Sequence, residues 1–257
     1  MNLRKPALVG RIAAATVLFA GLAIAAPANA ITNGTVDGND HPNVGGMVHA
    51  KQYSDGTWLL CSGTLISPTV FLTAAHCGRT GKDVTVTFDA DYVAGDAVYP
   101  GTFFRDPAYN HRESDPHDIA VIVLDSPIRS ITPAQLPKAN AMSHLSKNQR
   151  FTSVGVGAYE VTNEPGGHHY LYNDVRMEAT GGLNAVNKAW LHLSMNPAKG
   201  DGGSCYGDSG GPNFLGNTDI IAGITITGDA ICRATNVDYR VDTPAARHFL
   251  GDFVALP

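Results

Sequence analysis

From Ile31 to about Arg129 the chain alternates short apolar runs with turn residues. The runs are Gly46–Ala50, Thr57–Leu60, Thr64–Ile66, Val70–Thr73, Val84–Phe88 and Ile119–Leu124, and Asp-Gly, Ser-Pro, Gly-Asp and Asp-Pro pairs separate them. Short strands punctuated in this way predict antiparallel sheets, closed into a barrel or stacked as a sandwich. A second series follows at Phe151–Val156, Val175–Ala179, Trp190–Ser194, Ile220–Thr227 and Val237–Val241. Between the two lies Ser130–Lys147, rich in Pro, Ala, Asn and Ser, which is expected to join two units of about 31–145 and 146–257. Only the end of the chain reads as helix. Asp242 or Thr243 can cap it, Pro244 suits its first turn, and Ala246, Phe249, Leu250, Phe253 and Val254 follow at i, i+3, i+4, i+7, i+8 spacing.

The first thirty residues stand outside this pattern. Arg4, Lys5 and Arg11 make a basic start, Ile12 to Ala26 is apolar and uncharged, and Ala28-Asn29-Ala30 has the small-x-small form of a secretory cleavage site. Residues 1–30 are therefore expected to be a signal peptide, and the remainder a secreted, extracellular protein. Thirty residues removed from 257 leave 227, enough for one large β domain or two small ones packed together. The segment carries three basic residues and no acid, so its loss takes the net charge from −5 to about −8. An acidic surface argues against nucleic acid or an anionic membrane as partner. Charged residues make up only 16% of the chain, and Gly (28) and Pro (15) are frequent, as in turn-rich exported folds. Four cysteines in such a chain predict two disulfides, with three connectivities open. Local pairing of Cys61 with Cys77 and of Cys205 with Cys232 is the simplest, each bridge worth ~3 kcal/mol in the chain-entropy model. No CxxC or HxxxH spacing is present, and neither a metal nor a cofactor is expected.

The candidate chemistry centres on Gly203-Ser204-Cys205-Tyr206-Gly207-Asp208-Ser209-Gly210-Gly211-Pro212. Glycine this dense is tolerated mainly where the backbone takes unusual angles or approaches a ligand closely. A serine there becomes a useful nucleophile if nearby N–H groups can hold an oxyanion and a base can take its proton. Among ten histidines, His76 is the best base. It follows the apolar run Leu72–Thr73 and small Ala74 and Ala75, and Cys77 beside it can fix its backbone through a disulfide. The neighbouring His168 and His169 could suggest a metal pair, but adjacent side chains rarely converge on one ion. Asp118 opens the all-apolar run Ile119–Leu124, and an acid at the mouth of a buried strand needs hydrogen bonds such as an imidazole N–H supplies. Asp115, before Pro116, reads instead as a turn cap.

These segments together resemble a secreted trypsin/chymotrypsin-like serine protease of the compact kind common in bacteria. The likeness rests on Cys61–Ser67, Leu72–Cys77, His117-Asp118-Ile119-Ala120 and Gly207–Pro212, in the order His, Asp, Ser, spanning nearly the whole mature chain. The resemblance implies an all-β fold of two antiparallel six-stranded β-barrels with a C-terminal helix and a cleft between the barrels. It implies Ser209 as nucleophile, His76 as general base and then acid, Asp118 as its orienting carboxylate, and the N–H groups of Gly207 and Ser209 as an oxyanion hole. It implies an ion pair between Asp208 and a freed N-terminal ammonium. Ile31 directly follows the expected cleavage site, so signal removal itself would create that terminus. Partners implied are polypeptide substrates and proteinaceous inhibitors, acting on a monomer.

The resemblance also places Gly203 at the floor of the primary specificity pocket and Gly228 and Val237 on its walls. No pocket acid then selects Arg or Lys, and small or medium apolar side chains are expected. Two departures bear on efficiency. Ile226-Thr227-Gly228 stands where the family usually has Ser-Trp-Gly, which removes a hydroxyl partner of Asp118 unless Thr225 or Thr227 replaces it. Gly155-Val156-Gly157 stands where Gly-Trp-Gly is usual. An α/β-hydrolase fits poorly, because only His248 follows the serine. A catalytically weak or inactive protease-like binding module is the more serious alternative.

Overall fold

The computed structural model describes residues 31–257; apart from Met1, the expected signal segment lies outside the described residues. In chain order the strands are β1 (Thr35–Val36), β2 (Val44–Val48), β3 (Leu59–Ser67), β4 (Val70–Thr73), β5 (Lys82–Thr87), β6 (Tyr99–Arg105) and β7 (Ala120–Leu124). They continue as β8 (Arg150–Gly155), β9 (Glu160–Glu164), β10 (Gly167–Leu171), β11 (Met177–Val186), β12 (Trp190–Ser194), β13 (Pro212–Leu215), β14 (Ile221–Gly228) and β15 (Thr235–Arg240), followed by helix α1 (Pro244–Leu250). Antiparallel pairing in the order β2-β3-β4-β7-β6-β5 returns to β2 and closes the first barrel. The order β8-β11-β12-β15-β14-β13 returns to β8 and closes the second, with β1 added to the edge of β11. Two six-stranded antiparallel barrels and a short terminal helix match the expectation from the sequence. The connecting segment holds one 3-10 turn, Ala141–His144.

The barrels close on apolar side chains. Leu65, Phe71, Phe103 and Ile122 fill the first and are fully buried. A larger cluster runs from Val44, Leu72 and Ile119 of the first half to Val154, Phe214, Ile224 and Leu250 of the second. Burial of each such side chain contributes ~1.5–3 kcal/mol, so the two halves are held as one body and the cleft between them is fixed. A polar staple adds to this contact. Arg176, with no exposure, donates from Nε to Asp37 Oδ2 (2.7 Å), from Nη1 to Val44 O (2.9 Å) and Phe88 O (3.0 Å), and from Nη2 to Gly38 O (3.2 Å). It thereby ties the N-terminal segment and the first barrel to the strand edge of the second.

At α1 the cap is Thr243, whose Oγ1 accepts the N–H of Ala246 (3.2 Å). Asp242, the other candidate, instead pairs with Arg240 Nη2 (2.9 Å) and accepts the N–H of Met142 (2.8 Å). The helix ends at Leu250, yet Phe253 and Val254 still pack on the core from the turn that follows. Removing the cap hydroxyl with Thr243→Ala is expected to cost about 1 kcal/mol in urea unfolding.

Candidate active site

Residues 205–211 form a tight loop that the Cys205–Cys232 disulfide anchors at one end. Gly207 (φ +93°) and Gly210 (φ +82°) lie in the left-handed region that favours glycine. A Cβ on Gly210 would stand 2.2 Å from Thr73 Oγ1, so only glycine lets the loop seat against the first barrel. The loop is bonded at Asp208 N–H to Cys205 O (3.1 Å), Gly210 N–H to Thr225 O (2.7 Å) and Gly211 N–H to Asp208 O (2.8 Å). Ser209 O accepts the N–H of Ser62 (2.9 Å). Among the described residues, the N–H groups of Gly207 and Ser209 donate to no protein acceptor. Two undonated N–H groups flanking a serine are available to an anionic oxygen.

Ser62, on β3, is a positioning residue that the sequence did not mark. Its hydroxyl accepts the N–H of Val156 (3.0 Å) and donates to Gly207 O (3.1 Å), which fixes the orientation of the loop carbonyl. Gly155 and Gly157 prove to be the room for Asp208. A Cβ on the first would reach Asp208 Oδ1 at 2.1 Å, and on the second Asp208 N at 2.6 Å. Val156 between them packs in a small cluster with Leu59 and Tyr92, so the missing tryptophan does not disturb this contact.

His76 sits in a 3-10 turn (Ala75–Cys77) directly after β4, and Cys77 is bonded to Cys61. Both disulfides are thus the local pairings. The ring Nδ1 of His76 meets Asp118 Oδ2 at 2.7 Å, and the His76 backbone N–H donates to Asp118 Oδ1 at 3.0 Å. Asp118 is buried two residues before β7, where its carboxylate meets one histidine. With the carboxylate accepting from Nδ1–H, the tautomer leaves Nε2 as a proton acceptor. His76 and Ser209 line the same cavity, although no hydrogen bond joins them; such contacts often tighten only when substrate is bound. Asp115 is separate and accepts the Tyr239 hydroxyl (3.0 Å). Neither threonine replaces the family's serine hydroxyl. Thr225 Oγ1 turns to Ser204 Oγ (3.3 Å) and Asn213 Nδ2 (3.0 Å), and Ile226 is buried in the core between it and Thr227.

The cavity beside Ser209 measures about 410 Å³, and Ser204, the Cys205–Cys232 bridge and the strand Thr225–Gly228 form its walls. Gly228 is among its lining residues, and Gly203 and Val237 are not. A Cβ on Gly203 would meet Met195 Cγ at 2.6 Å, so the methionine covers this glycine. Gly228 pairs with Asn236, and Val237 pairs with Thr227, after an irregularity between Thr225 and Thr227. Asn236 is buried, and its Oδ1 accepts from Ser204 Oγ (2.5 Å) while its Nδ2 donates to Asn213 Oδ1 (3.1 Å). The pocket is thus backed by a buried polar network that includes Asp238, whose Oδ1 accepts from Asn213 Nδ2 (2.7 Å) and whose carboxyl pKa burial raises well above the ordinary range. The acid in its lining, Asp229, accepts the N–H groups of Arg233, Ala234 and Thr235 (3.1, 2.8 and 2.8 Å). Burial alone would raise its carboxyl pKa, but these bonds outweigh it and hold the pKa below the ordinary range.

Asp208 is buried and accepts the N–H groups of Gly157 (2.8 Å) and Cys205 (2.7 Å). Burial pushes its carboxyl up to about 7, which the two bonds offset only in part, and among the described residues no cation lies near enough to lower it. Ile31 is fully buried beside Met177 and Ala179, and Thr32 O accepts the N–H of Gly203 (3.1 Å). Asp37, His41 and Glu178 bring ligand atoms within 4.8 Å of one another, but the Arg176 guanidinium on Asp37 opposes a cation there. The paired His168 and His169 lie in the exposed β9–β10 hairpin and, among the described residues, converge on no such cluster.

Residues 36–249 match the family model described as Trypsin. A chymotrypsin of Phaedon cochleariae is 28% identical over 188 residues, 68% of this chain and 65% of that protein. A trypsin of the same organism is 30% identical over 172 residues, 60% of this chain and 64% of that protein. The matches therefore span just under two thirds of either relative's own length. A solved structure described as HL collagenase superposes with a TM-score of 0.66 at 20% identity, covering 86% of this chain and 98% of that one.

Proposed function

Because the chain belongs to the trypsin family, we propose that it is a secreted serine endopeptidase of the compact kind that bacteria export. It cleaves peptide bonds through an acyl-enzyme. Ser209 Oγ attacks the scissile carbonyl while His76 takes its proton, and the same imidazole then protonates the leaving amine. Asp118 holds the ring and stabilises its charged form. The oxyanion forms against the N–H groups of Gly207 and Ser209, where one donor is typically worth ~3 kcal/mol of barrier. The observation that carries this reading is the serine loop with two undonated N–H groups, sharing one cavity with a histidine that a buried carboxylate orients. Export agrees with the two disulfides, and no described helix is long and apolar enough to cross a membrane.

The primary pocket favours uncharged side chains of small to medium size. Among the described residues its one lining acid, Asp229, is satisfied by three backbone donors, and Ser204 and the Cys205–Cys232 disulfide wall it. Differences of one or two methylenes discriminate only ~10–200-fold, so the preference is broad. Cleavage of a peptide library by the purified mature protein tests this. Uncharged residues are expected before the scissile bond, and a strict Arg or Lys requirement would refute the pocket assignment.

Activation follows from export. Signal removal before Ile31 frees an ammonium that pairs with Asp208. Two features of the uncleaved chain support this: the uncompensated Asp208 carboxylate, and Ile31 held at φ +59°, a strained conformation for a β-branched residue. N-terminal sequencing of the secreted protein is expected to begin at Ile31, and any other start rejects direct activation.

The second reading, an inactive binding module, is favoured by one observation. Among the described residues Asp118 has no hydrogen-bond donor besides His76, because Ile226 occupies the position of the usual serine.

A further inference from the structure

Among the described residues the Asp118 carboxylate receives hydrogen bonds only from His76, so its aim depends on the chain that carries it. Asp118 sits in a tight three-residue turn, closed by the Ile119 N–H donating to His117 O (2.9 Å). The residues on either side of Asp118 are both held by Asp106, which directly follows β6. The Asp106 N–H donates to Ile119 O (3.0 Å), and Asp106 Oδ2 meets the His117 ring Nδ1 (3.0 Å). Asp106 is buried and accepts the Ala108 N–H at Oδ1 (2.9 Å), so its carboxylate is itself fixed. A carboxylate can only accept, which places a proton of the ring on Nδ1.

The backbone of His117 lies at φ +49°, in the left-handed region. A residue other than glycine stays there when its surroundings hold it. Glycine would take this angle without steric cost. The residue found there instead carries a ring that reaches Asp106.

The main chain of His117 is moored on the opposite side. Its N–H donates to Asp115 Oδ1 (3.3 Å), and the same oxygen accepts the hydroxyl of Tyr239 (3.0 Å), on β15 of the second barrel. Tyr239 has no exposure, and burial together with the Asp115 charge raises its phenol pKa, so it remains a donor. One residue earlier, Ser114 O accepts the Nε1–H of Trp190 (2.6 Å), on β12 of the second barrel. His117 therefore joins a strand end of the first barrel to a loop tied to the second. The triad is divided in the same way, with His76 and Asp118 among the strands of the first barrel and Ser209 among those of the second.

We propose that His117 is a positioning residue for the reaction: with its ring held by Asp106 and its N–H by Asp115, it fixes the turn of Asp118 and so the aim of that carboxylate at His76. The inference rests on the endopeptidase reading for the roles of Asp118 and His76. Asp106 is the anchor of the clamp, and Asp115 with Tyr239 ties it to the second barrel.

The test uses the mature protein and a peptide substrate. His117→Gly accepts the left-handed backbone but has no ring, and kcat is expected to fall ~10–100-fold with KM unchanged. His117→Asn tolerates the same backbone and puts an amide N–H near the place of Nδ1–H, so its kcat should stay within ~3-fold of the wild type. Asp106→Ala breaks the contact without touching residue 117, and carries the test if the glycine loosens the fold. It should lower kcat over the same range, and the double variant should be no worse than either single one. In an Asp118→Asn background, His117→Gly should change kcat by less than about 2-fold, because the ring acts through the carboxylate. An unchanged kcat in both His117→Gly and Asp106→Ala overturns the proposal. So does a loss that asparagine does not rescue, or an equal loss in the Asp118→Asn background, which marks general loosening. The far-downfield proton resonance of His76 Nδ1–H, shared with Asp118, needs no turnover. It should be sharp in the wild type and in His117→Asn, and broadened or lost in His117→Gly. If the wild-type protein cleaves no peptide, the endopeptidase reading fails and this resonance alone judges the clamp, an identical signal in all three proteins overturning it.

Discussion

Ser209→Ala is expected to lower kcat on a peptide substrate by ~10⁶-fold while leaving the protein folded. The magnitude follows from how a triad fails, since removing the nucleophile of a serine protease costs about as much as removing all three members. The activity that remains reflects binding and the oxyanion donors, both of which the variant keeps. Folding should be nearly unaffected, because the Ser209 hydroxyl makes no hydrogen bond among the described residues and its loss strands no buried partner. Urea unfolding of the variant should lie within ~0.5 kcal/mol of the wild type. A variant that unfolds instead would mean that Ser209 is a structural residue. Asp118→Asn should cost ~10⁴-fold with the geometry intact, because an amide in place of the carboxylate lets His76 adopt the wrong tautomer.

Asp208→Asn should have opposite effects before and after removal of the signal segment. While residue 30 precedes Ile31, burial holds the Asp208 carboxyl at about 7 against an ordinary value of 3.8. Between those two values the folded chain binds more protons than the unfolded one, so stability of the uncleaved form falls as pH rises. Below about 4 both states are protonated and nothing is lost; above about 7 the loss is complete. The difference between the two values corresponds to ~4 kcal/mol. The asparagine removes that slope but turns its amide NH2 toward one of the two backbone N–H groups, at Gly157 or Cys205, a loss of ~1–3 kcal/mol. The uncleaved variant should therefore be more stable at neutral pH by only the remainder. After cleavage the sign reverses. The ammonium of Ile31 would have no anionic partner, and breaking a buried pair costs ~3–5 kcal/mol, read as a ~10²–10⁴-fold loss of activity. Urea midpoints of the uncleaved form at several pH values, and kcat/KM of the cleaved form, measure the two halves separately. Full activity in the cleaved Asp208→Asn variant would remove the ion pair from the account.

The strands that could be read from sequence are those whose side chains are apolar on both faces or nearly so. β4, β7 and β12 coincide with the runs Val70–Thr73, Ile119–Leu124 and Trp190–Ser194. β6 was hidden because Tyr99-Pro100-Gly101 reads as a turn, although those residues pair with β5 at the barrel rim. β13 begins at Pro212 inside the glycine-rich stretch, and the β9–β10 hairpin is largely exposed and carries no apolar alternation. Leu59–Leu60 of the first run and Thr64–Ile66 are joined in β3, because the residues between them face the barrel contact: Ser62 is buried, and a Cβ on Gly63 would meet the Phe71 ring at 2.3 Å.

The site was legible where local sequence fixes geometry. His76 is pinned by a neighbouring disulfide, Asp118 by the buried strand it opens, and Ser209 by glycines that take positive φ around it. The pocket wall was not, because it depends on the pairing of β14 with β15, where Gly228 faces Asn236 and Val237 faces Thr227. Nothing in the string distinguishes Asn236 from Val237 before the pairing is known. Ser62 escaped for a similar reason, since its role exists only once Val156 and Gly207 are brought to either side of its hydroxyl.

The most direct test of the central claim is labelling of the mature, native protein with a fluorophosphonate, followed by peptide mapping. A single adduct on Ser209 is expected, absent after unfolding and absent from the His76→Ala variant, because only an oriented base and oxyanion donors make one serine reactive. No adduct on the native protein, or one that persists unchanged after unfolding, would contradict the account.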